Sequence, residues 1–470
     1  MRLDPAFIAR VQFAFTVTFH IIFPTISIGL AAFLVVVEGL WLKTKAPIYL
    51  QIYRFWLGIF AMSFGVGVVT GIVLSFEFGL GFSRFAQIAG PAIGPMIALE
   101  VLTAFFLEAG FLGIMLFGLH RVGPKLHFFA TCMVALGTEI SASWILSANS
   151  WMQTPDGMTI LNGHVVVTNW LHVIVNPSWL YRLPHMLMAA YLTGSFFVSG
   201  VGAWYLLRGK HEDFGRRTVS LGTAFATVFM ACQLFLGDIL YGTMLQYQPS
   251  KMQAAEGFWE EHSQSPAPYN WIIVPDQTHQ RNRSTLGTPY LGSIWLTHSL
   301  RGRVAGLKNT PRDRQPLMGM VFYGFHTMYV TAMIMFGLVV ASLWLRWQGR
   351  LFITRWFLRA LVIMTPAGII ATLGGWYTAE TGRQPWVIWG VLRTADAVSP
   401  VPSGALLSTL IAFVLIYTVF MTAFLVFTFR MIRRGPDAAP DQAEASGSLK
   451  NALRLHVMGH VAGADPAGKA

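Results

Sequence analysis

Residues 11–37 read VQFAFTVTFHIIFPTISIGLAAFLVVV, an apolar run in which His20 is the one ionisable side chain. A helix rises 1.5 Å per residue, so about 20 such residues cross the ~30 Å hydrocarbon core of a bilayer. The run therefore predicts a transmembrane helix that carries a histidine inside the membrane.

The composition of the whole chain agrees with that prediction. Of its 470 residues, 54% are hydrophobic and 11% are charged, whereas soluble domains carry about 25% charged residues. Such a chain cannot cover a water-soluble surface, so its solvent is membrane lipid. The net charge of +12 lies in short clusters between apolar runs rather than in a basic stripe, which argues against a nucleic-acid partner.

Nine apolar runs are long enough to span a membrane, which predicts an all-α integral membrane protein with nine transmembrane helices. The runs are residues 11–37, 55–80, 96–119, 127–149, 184–207, 218–242, 318–345, 355–378 and 404–430. The short connections on one side hold fifteen Lys and Arg residues, and those on the other hold six. The positive-inside rule then places the N-terminus outside and the C-terminus in the cytoplasm.

The runs divide the chain into four parts. Residues 1–242 contain transmembrane helices 1–6, and residues 318–434 contain helices 7–9. Between them, residues 243–317 form a long polar connection that falls outside by parity, and a connection of this length is usually functional. Residues 435–470 are rich in Ala, Gly, Pro and Asp and predict a disordered cytoplasmic tail.

Ionisable residues inside a membrane are costly and are candidates for function. They are His20, Glu77, Glu100, Glu108, Glu139, His185, Asp238, His326 and Glu380. His20, His185, His326, Glu100 and Glu380 fall within about 15 Å of the predicted outer surface, as does Met328. Histidine, methionine and glutamate from facing helices suit haem iron, although a single histidine at a helix end is more often a hydrogen-bonded interface residue.

The pair Glu100 and Glu108 has two interpretations. Eight residues along an α-helix place the two carboxyl groups about 80° apart around the axis and about 12 Å apart along it. That arrangement is loosely one face, as a proton relay requires, but two carboxyl groups buried in neutral form would look the same in the sequence.

The segment 374–386, GGWYTAETGRQPW, resembles the GRQPW signature of subunit I of cytochrome bd-type quinol oxidases. Other matching stretches follow the family's order: RVQFA at 10–14 before His20, LEVLTAFFLE at 99–108, SASWILSANSWMQ at 141–153, the helix of His185, and Gly237-Asp238. The resemblance covers most of the nine runs. The tail and much of the long connection lie outside it.

The resemblance implies a role for each matching residue. His185 and Met328 would be the axial ligands of a low-spin haem b (haem b558). His20 and Glu380 would serve a high-spin haem b (haem b595) and haem d, with the iron of each left open. Glu100, Glu108 and Ser141 would deliver protons or lie beside the oxygen-reducing iron. Trp376, Asn149 and Arg383 would surround the haems, the latter two at the propionates.

The resemblance also interprets the long connection as a short quinol-binding loop like that of the cyanide-insensitive branch. Lys251 and Glu256 match the family's Lys and Glu five residues apart, although from the sequence alone such a pair is usually a solvated loop. One residue departs from the family pattern, because His326 stands where an Arg often precedes the axial Met. A histidine at this position cannot make the contact with a haem propionate that the family's always-charged Arg would make. His326 is also disfavoured as an iron ligand in place of Met328, because the two side chains lie about 200° apart around the helix.

The implied activity is that of a bacterial inner-membrane terminal oxidase. Quinol would be oxidised at the outer face, O2 would be reduced to water at the two-haem site with cytoplasmic protons, and a proton gradient would form without pumping. A second subunit, and often a small single-span subunit, would complete the enzyme. Two alternatives are a haem-binding quinone reductase subunit and a proton-coupled transporter.

Overall fold

The computed structural model describes residues 4–261, 266–300 and 302–437. The helices are α1 (Pro5–Thr44), α2 (Pro47–Gly81), α3 (Ser83–Glu100), α4 (Phe106–Phe117), α5 (Pro124–Gln153), α6 (Trp170–Ile174), α7 (Trp179–Leu207), α8 (Glu212–Tyr247), α9 (Pro249–Glu256), α10 (Leu291–Thr297), α11 (Met318–Trp347), α12 (Arg355–Ile363), α13 (Ala367–Thr381), α14 (Thr394–Ala397) and α15 (Ser403–Arg434). Three antiparallel hairpins join them: β1 (Met158–Leu161) with β2 (His164–Val167), β3 (Tyr269–Asp276) with β4 (Arg281–Thr288), and β5 (Trp386–Ile388) with β6 (Leu392–Arg393).

The predicted all-α membrane fold is confirmed. Within the described ranges, eight helical segments are long and apolar enough to cross a membrane, and α12 with α13 adds a ninth as one span bent by 42°. Each of the nine predicted runs lies largely within one of these segments. Between α3 and α4, Val101–Phe105 form a π-helical turn, so Ser83–Phe117 is one continuous span.

The sequence marks several helix starts directly. Pro5, Pro47 and Pro124 occupy the first position of α1, α2 and α5, where a missing backbone N–H costs nothing and the fixed φ suits a helix. Asp4 caps α1, since its carboxylate accepts a hydrogen bond from the Ala6 backbone N–H at 3.0 Å.

Glycine pairs allow the helices at the centre of the bundle to touch. A Cβ atom on Gly29 of α1 would lie 2.3 Å from the carbonyl oxygen of Ala190 on α7, and one on Gly194 would lie 2.7 Å from the Gly29 backbone. Gly324 of α11 and Gly374 of α13 make a similar crossing. Backbones that approach this closely gain the dispersion contacts that hold helices together in lipid.

The connection between α8 and α11 is packed against the bundle. Buried Met252 of α9, Trp259, Ile273 of β3 and Phe322 of α11 share one apolar cluster. We call this side of the molecule the loop end and the other the opposite end. The tail predicted from residue 435 lies, from residue 438 onward, outside the described residues.

The Gly29 crossing gives a testable prediction. Gly29→Ala forces α1 and α7 apart and should lower the free energy of unfolding by about 1–3 kcal/mol, the usual cost of overpacking. Gly65→Ala on α2 is the control, because a Cβ there meets no atom within 4 Å. Thermal unfolding of the detergent-solubilised protein measures both, and equal midpoints would show that the crossing tolerates a methyl group.

Candidate functional site

Glu380 lies at the centre of a hydrogen-bonded cluster at the loop end. One carboxylate oxygen accepts hydrogen bonds from Asn149 Nδ2 at 3.0 Å and from Gln153 Nε2 at 3.3 Å, and the other accepts one from Arg383. Asn149 and Gln153 lie one turn apart at the end of α5, while Glu380 lies at the end of α13 and Arg383 just beyond it. The cluster therefore joins two of the predicted haem-environment residues to one predicted ligand.

Two further basic side chains enter the same cluster. Arg182 of α7 donates to Asn149 Oδ1 at 2.5 Å and to Ser150 Oγ at 3.0 Å. Lys251 of α9 donates to Gln153 Oε1 at 2.6 Å. Both are buried, with exposed fractions of 8% and 2%. The connection between α8 and α11 thus places a lysine against the bundle rather than in water.

The cluster has an excess of positive charge. Arg182 and Arg383 are permanently charged, and Glu380 is the one carboxylate bonded to the cluster in the described part of the chain. Burial, reinforced by Arg182 and Arg383, holds the pKa of Lys251 well below its usual value, although Glu380 opposes that shift. Arg383 Nε and Nη1 are buried without a hydrogen bond. Buried donors of this kind need a partner, and the donor set suits an anionic group.

Arg182 was missed by sequence reasoning. In the sequence it is only one of the six Lys and Arg residues in the short connections of the outer side. The available signal was its position, one helical turn before His185 on α7, which places a guanidinium group at the depth of a candidate ligand.

Glu100 and Ser141 meet between α3 and α5, where the Ser141 hydroxyl donates to Glu100 Oε1 at 2.7 Å. Glu108 packs against Gly137 of α5, whose Cβ, if present, would lie 2.5 Å from Glu108 Cγ. Glu108 is buried, while Glu100 is partly exposed on the bundle surface. The π-helical turn between the two carboxyl groups changes the ideal 80° offset expected of an α-helix.

The two candidate histidine ligands each face a glycine. His20 Nδ1 lies 2.9 Å from Thr70 Oγ1, and a Cβ on the neighbouring Gly71 would lie 3.2 Å from the imidazole ring. His185 faces Gly237 of α8 at 3.6 Å, measured to the position a Cβ would take. The Nδ1 atom of His185 is buried without a hydrogen bond.

Met328 occupies a comparable position on α11. Its sulfur lies 2.7 Å from where a Cβ on Gly375 would stand, so the glycine leaves room for the thioether between α11 and α13. Trp376 follows Gly375 and is half-buried. The Gly324–Gly374 crossing one turn away fixes this pair of helices.

His326 points away from the Glu380 cluster. Its Nε2 lies 2.7 Å from the Asn270 carbonyl oxygen of β3 and its Nδ1 lies 3.0 Å from the Phe322 carbonyl oxygen. The ring stacks on Phe322 at 3.8 Å between centroids. The His326 ring thus attaches the β3–β4 hairpin to α11. An Arg at this position would present a longer, forked set of donors and could not make the same contact.

Lys251 and Glu256, matched together in the sequence, face different surroundings. Five residues turn a helix by about 140°, so Lys251 meets the Glu380 cluster while Glu256 faces away from it. Burial raises the pKa of Glu256 to about 8, against the opposing effect of Tyr241. Neither Glu256 carboxylate oxygen makes a hydrogen bond of good geometry within the described ranges.

Comparison with known proteins agrees with this arrangement. A family model described as cytochrome bd terminal oxidase subunit I matches residues 8–436. The chain belongs to the cytochrome bd terminal oxidase subunit I family.

Relatives in this family match over nearly their whole length. The chain is 34% identical over 441 residues to cytochrome bd ubiquinol oxidase subunit 1 of Bacillus subtilis (strain 168), with 92% of this chain and 94% of that one covered. It is 31% identical over 498 residues to cytochrome bd-II ubiquinol oxidase subunit 1 of Escherichia coli (strain K12), with 92% and 97% covered. The solved structure of bd oxidase from Geobacillus thermodenitrificans matches with a TM-score of 0.85 at 31% identity, covering 92% of this chain and 99% of that one.

Membership confirms the resemblance and the class of enzyme. Subunit I of a cytochrome bd oxidase is a multi-span haem protein of a bacterial respiratory quinol:oxygen oxidoreductase and acts with a second subunit. The transporter alternative is therefore wrong. No group of three His, Cys, Asp or Glu residues that could hold a bare metal ion occurs in the ranges that the structure describes, and haem iron needs at most two side-chain ligands.

The charge balance at Glu380 gives a prediction for stability. Glu380→Gln leaves two buried guanidinium groups without their carboxylate and should lower the free energy of unfolding by about 3–5 kcal/mol. Asp313→Asn is the control, because Asp313 pairs with Arg393 at 2.5 Å with a side chain that is 58% exposed; its loss should cost at most about 1 kcal/mol. Unfolding in detergent measures both, and similar losses would contradict the assignment.

Proposed function

We propose that this chain is the subunit in which quinol is oxidised at the loop end and O2 is reduced to water at a two-haem site. The observation that carries the proposal is the buried cluster of Arg182, Arg383, Lys251 and Asn149 around Glu380, whose unpaired donors fit an anionic group. Haem carries two carboxylates and an iron that exchanges single electrons, so it supplies both the missing negative charge and the redox chemistry.

Four side chains would hold the haem irons, and three of them lie beside a glycine. His185 and Met328 suit low-spin haem b558, because the buried His185 Nδ1 lacks a hydrogen bond and Gly375 leaves space beside the Met328 sulfur. His20, beside Gly71, and Glu380 would serve haem b595 and haem d, in either order.

Arg182, Arg383 and Asn149 would hold propionates by bidentate or charge-assisted hydrogen bonds. Lys251 belongs by its position with this group.

Glu256 is the side chain suited to accept a proton from quinol. It is buried against the aromatic residues of the loop end, and its carboxyl group holds a proton up to about pH 8. The hydroxyl groups of Tyr241 and Tyr269 lie close enough to interact electrostatically with the Glu256 carboxylate. Burial makes a carboxylate a stronger base than one in water, although the Tyr241 hydroxyl partly offsets this effect at Glu256. Burial also excludes water that would compete with quinol.

The carboxyl groups on the span Ser83–Phe117 would handle protons for oxygen reduction. Glu100 is held by Ser141 and partly exposed on the bundle surface. A carboxyl group facing lipid is costly, so this face is the one we assign to the second subunit. A small single-span subunit would cover a further part of the surface.

Sidedness would let the reaction build a proton gradient without pumping. With the N-terminus outside and the C-terminus in the cytoplasm, quinol protons leave at the loop end while protons for water formation enter from the opposite end. The protein would thus lie in the bacterial cell membrane with its short basic connections inside.

Reduced-minus-oxidised spectra of the purified complex test the haem assignment. The native complex should show haem b and haem d absorption, and His185→Ala should remove the low-spin haem b signal while the others persist. His172→Ala is the control, because His172 is 55% exposed and pairs with Asp156 at 3.1 Å. Absence of haem from the native complex would overturn the proposed function. Haem b without oxygen consumption would instead indicate a quinone reductase subunit.

The pH dependence of quinol oxidation tests Glu256. Its base form appears as pH rises through about 8, so kcat/KM for quinol should climb through that pH and then level off. Glu256→Gln should lower the rate by about 10²-fold and abolish the climb. Glu260→Gln is the control, since Glu260 is 69% exposed and pairs with Lys308. An unchanged pH profile in Glu256→Gln would remove Glu256 from proton transfer.

A further inference from the structure

A second buried ionisable pair lies at the opposite end of the bundle. Glu38, near the end of α1, and His127, in the first turn of α5, are both fully buried, and Glu38 Oε1 lies 2.6 Å from His127 Nδ1. On the other side of the ring, Nε2 lies 3.1 Å from the Met115 carbonyl oxygen at the end of α4. Sequence reasoning assigned neither residue a role.

The hydrogen bonds define where protons can reside on this pair. The Met115 carbonyl only accepts, so Nε2 carries a proton, and a second proton is shared between Nδ1 and Glu38 Oε1. Glu38 Oε2 is buried and makes no hydrogen bond of good geometry among the described residues, but the Tyr53 hydroxyl lies within reach of the Glu38 carboxylate. Tyr53 is therefore the side chain through which the carboxylate can exchange a proton.

A cavity of about 350 Å³ connects the pair to the surface. Tyr53, Met115 and His127 line this cavity, as do Arg54 and His120. Arg54 Nη2 lies 3.1 Å from His120 Nε2. Half of its lining residues are apolar, and the polar ones are the possible partners of water: Tyr53, Arg54, His120, Arg121 and His127. The titratable groups that face the pair are Tyr53 of α2 and Cys132 of α5, with Arg54, His120 and Arg121 across the cavity.

The pair also leads inward toward Glu108. Met115 and Glu108 are seven residues apart on α4 and so lie on one face of it, about 10 Å apart. Thr131, one turn along α5 from His127, exchanges a hydrogen bond with the Tyr53 hydroxyl at 2.9 Å. Glu108 packs against Gly137, which lies six residues, or about 9 Å, along α5 from Thr131.

We propose that the Glu38–His127 pair is the entry site through which protons from the opposite end reach Glu108 within this subunit. The proposal rests on the proposed oxidase function. A proton from the cavity, which Tyr53 and His127 line, is taken up by the Glu38–His127 pair, and one proton leaves the pair along the Tyr53–Thr131 hydroxyls toward Glu108. Only O–H and N–H bonds form and break, the cavity water is reprotonated from the bulk, and no electron moves.

A purely structural pair would be built differently. A fastener between α1, α4 and α5 would gain nothing from a water-sized opening beside the His127 ring. This cavity, together with the hydroxyls of Tyr53 and Thr131 beside the pair, is what proton entry requires.

The test uses the complete complex with its haems, reduced and then mixed with O2 in a single turnover. A pH-indicator dye follows proton uptake, and haem absorption follows electron transfer. Glu38→Gln keeps the size of the side chain but removes its proton affinity, so it should slow uptake by about a hundredfold. Haem content and the O2-binding phase, which need no proton, should be unchanged. Glu212→Gln is the control, since Glu212 lies at the same end with a side chain 64% exposed.

A second variant addresses the cavity without touching the pair. Leu116→Trp fills part of the cavity and should also slow uptake, so it decides the question if Glu38→Gln fails to assemble. Wild-type uptake rates in either haem-complete variant would overturn the entry site. Loss of haem or of oxygen reduction in the native complex would instead overturn the proposed function, so the two failures are distinguishable.

Discussion

The constraint on which the rest of the structure depends is the cost of charge in a medium that cannot solvate it. Arg182 and Arg383 are always ionised, and burial forces each to find oxygen acceptors from α5, α7 or α13. Three helices and the α8–α11 connection therefore converge on Glu380. The cluster lacks negative charge, because the single carboxylate of Glu380 does not balance the two guanidinium groups. A site built with such a deficit is prepared for an anionic group and weakly stable without one.

Close contact between helices fixes the positions of the side chains around Glu380. Glycines at the α1–α7 and α11–α13 crossings bring backbones together, and glycines beside His20, His185 and Met328 leave room at the side chains that could bind iron. The first set fixes the helices and the second keeps space open, so one residue type serves two opposite needs. A larger side chain at either kind of position would alter the site without changing any polar group.

Much of the fold could be predicted from the sequence, because hydrocarbon imposes a simple rule on length and polarity. All nine runs correspond to helical spans, and the intramembrane ionisable residues included Glu380 and Glu100. What the sequence does not show has physical causes. Arg182 resembles a loop charge, since a sequence cannot show that a basic residue at a span boundary folds inward. Glu38 follows the last residue of its apolar run and His127 is the first residue of another, so the sequence does not indicate that either side chain is buried. The opposed directions of Lys251 and Glu256 depend on α9, an eight-residue helix with no periodic signal.

The two ends of the molecule handle charge in contrasting ways. At the loop end, permanent cations are held in fixed hydrogen bonds around a carboxylate, an arrangement suited to binding. At the opposite end, Glu38 lies 2.6 Å from His127, whose ring lines a cavity, an arrangement suited to exchange. Guanidinium groups cannot give up a proton under physiological conditions, whereas imidazole and carboxyl groups can. The residue types at the two ends are therefore suited to different tasks, retention of charge at the loop end and exchange of protons at the opposite end.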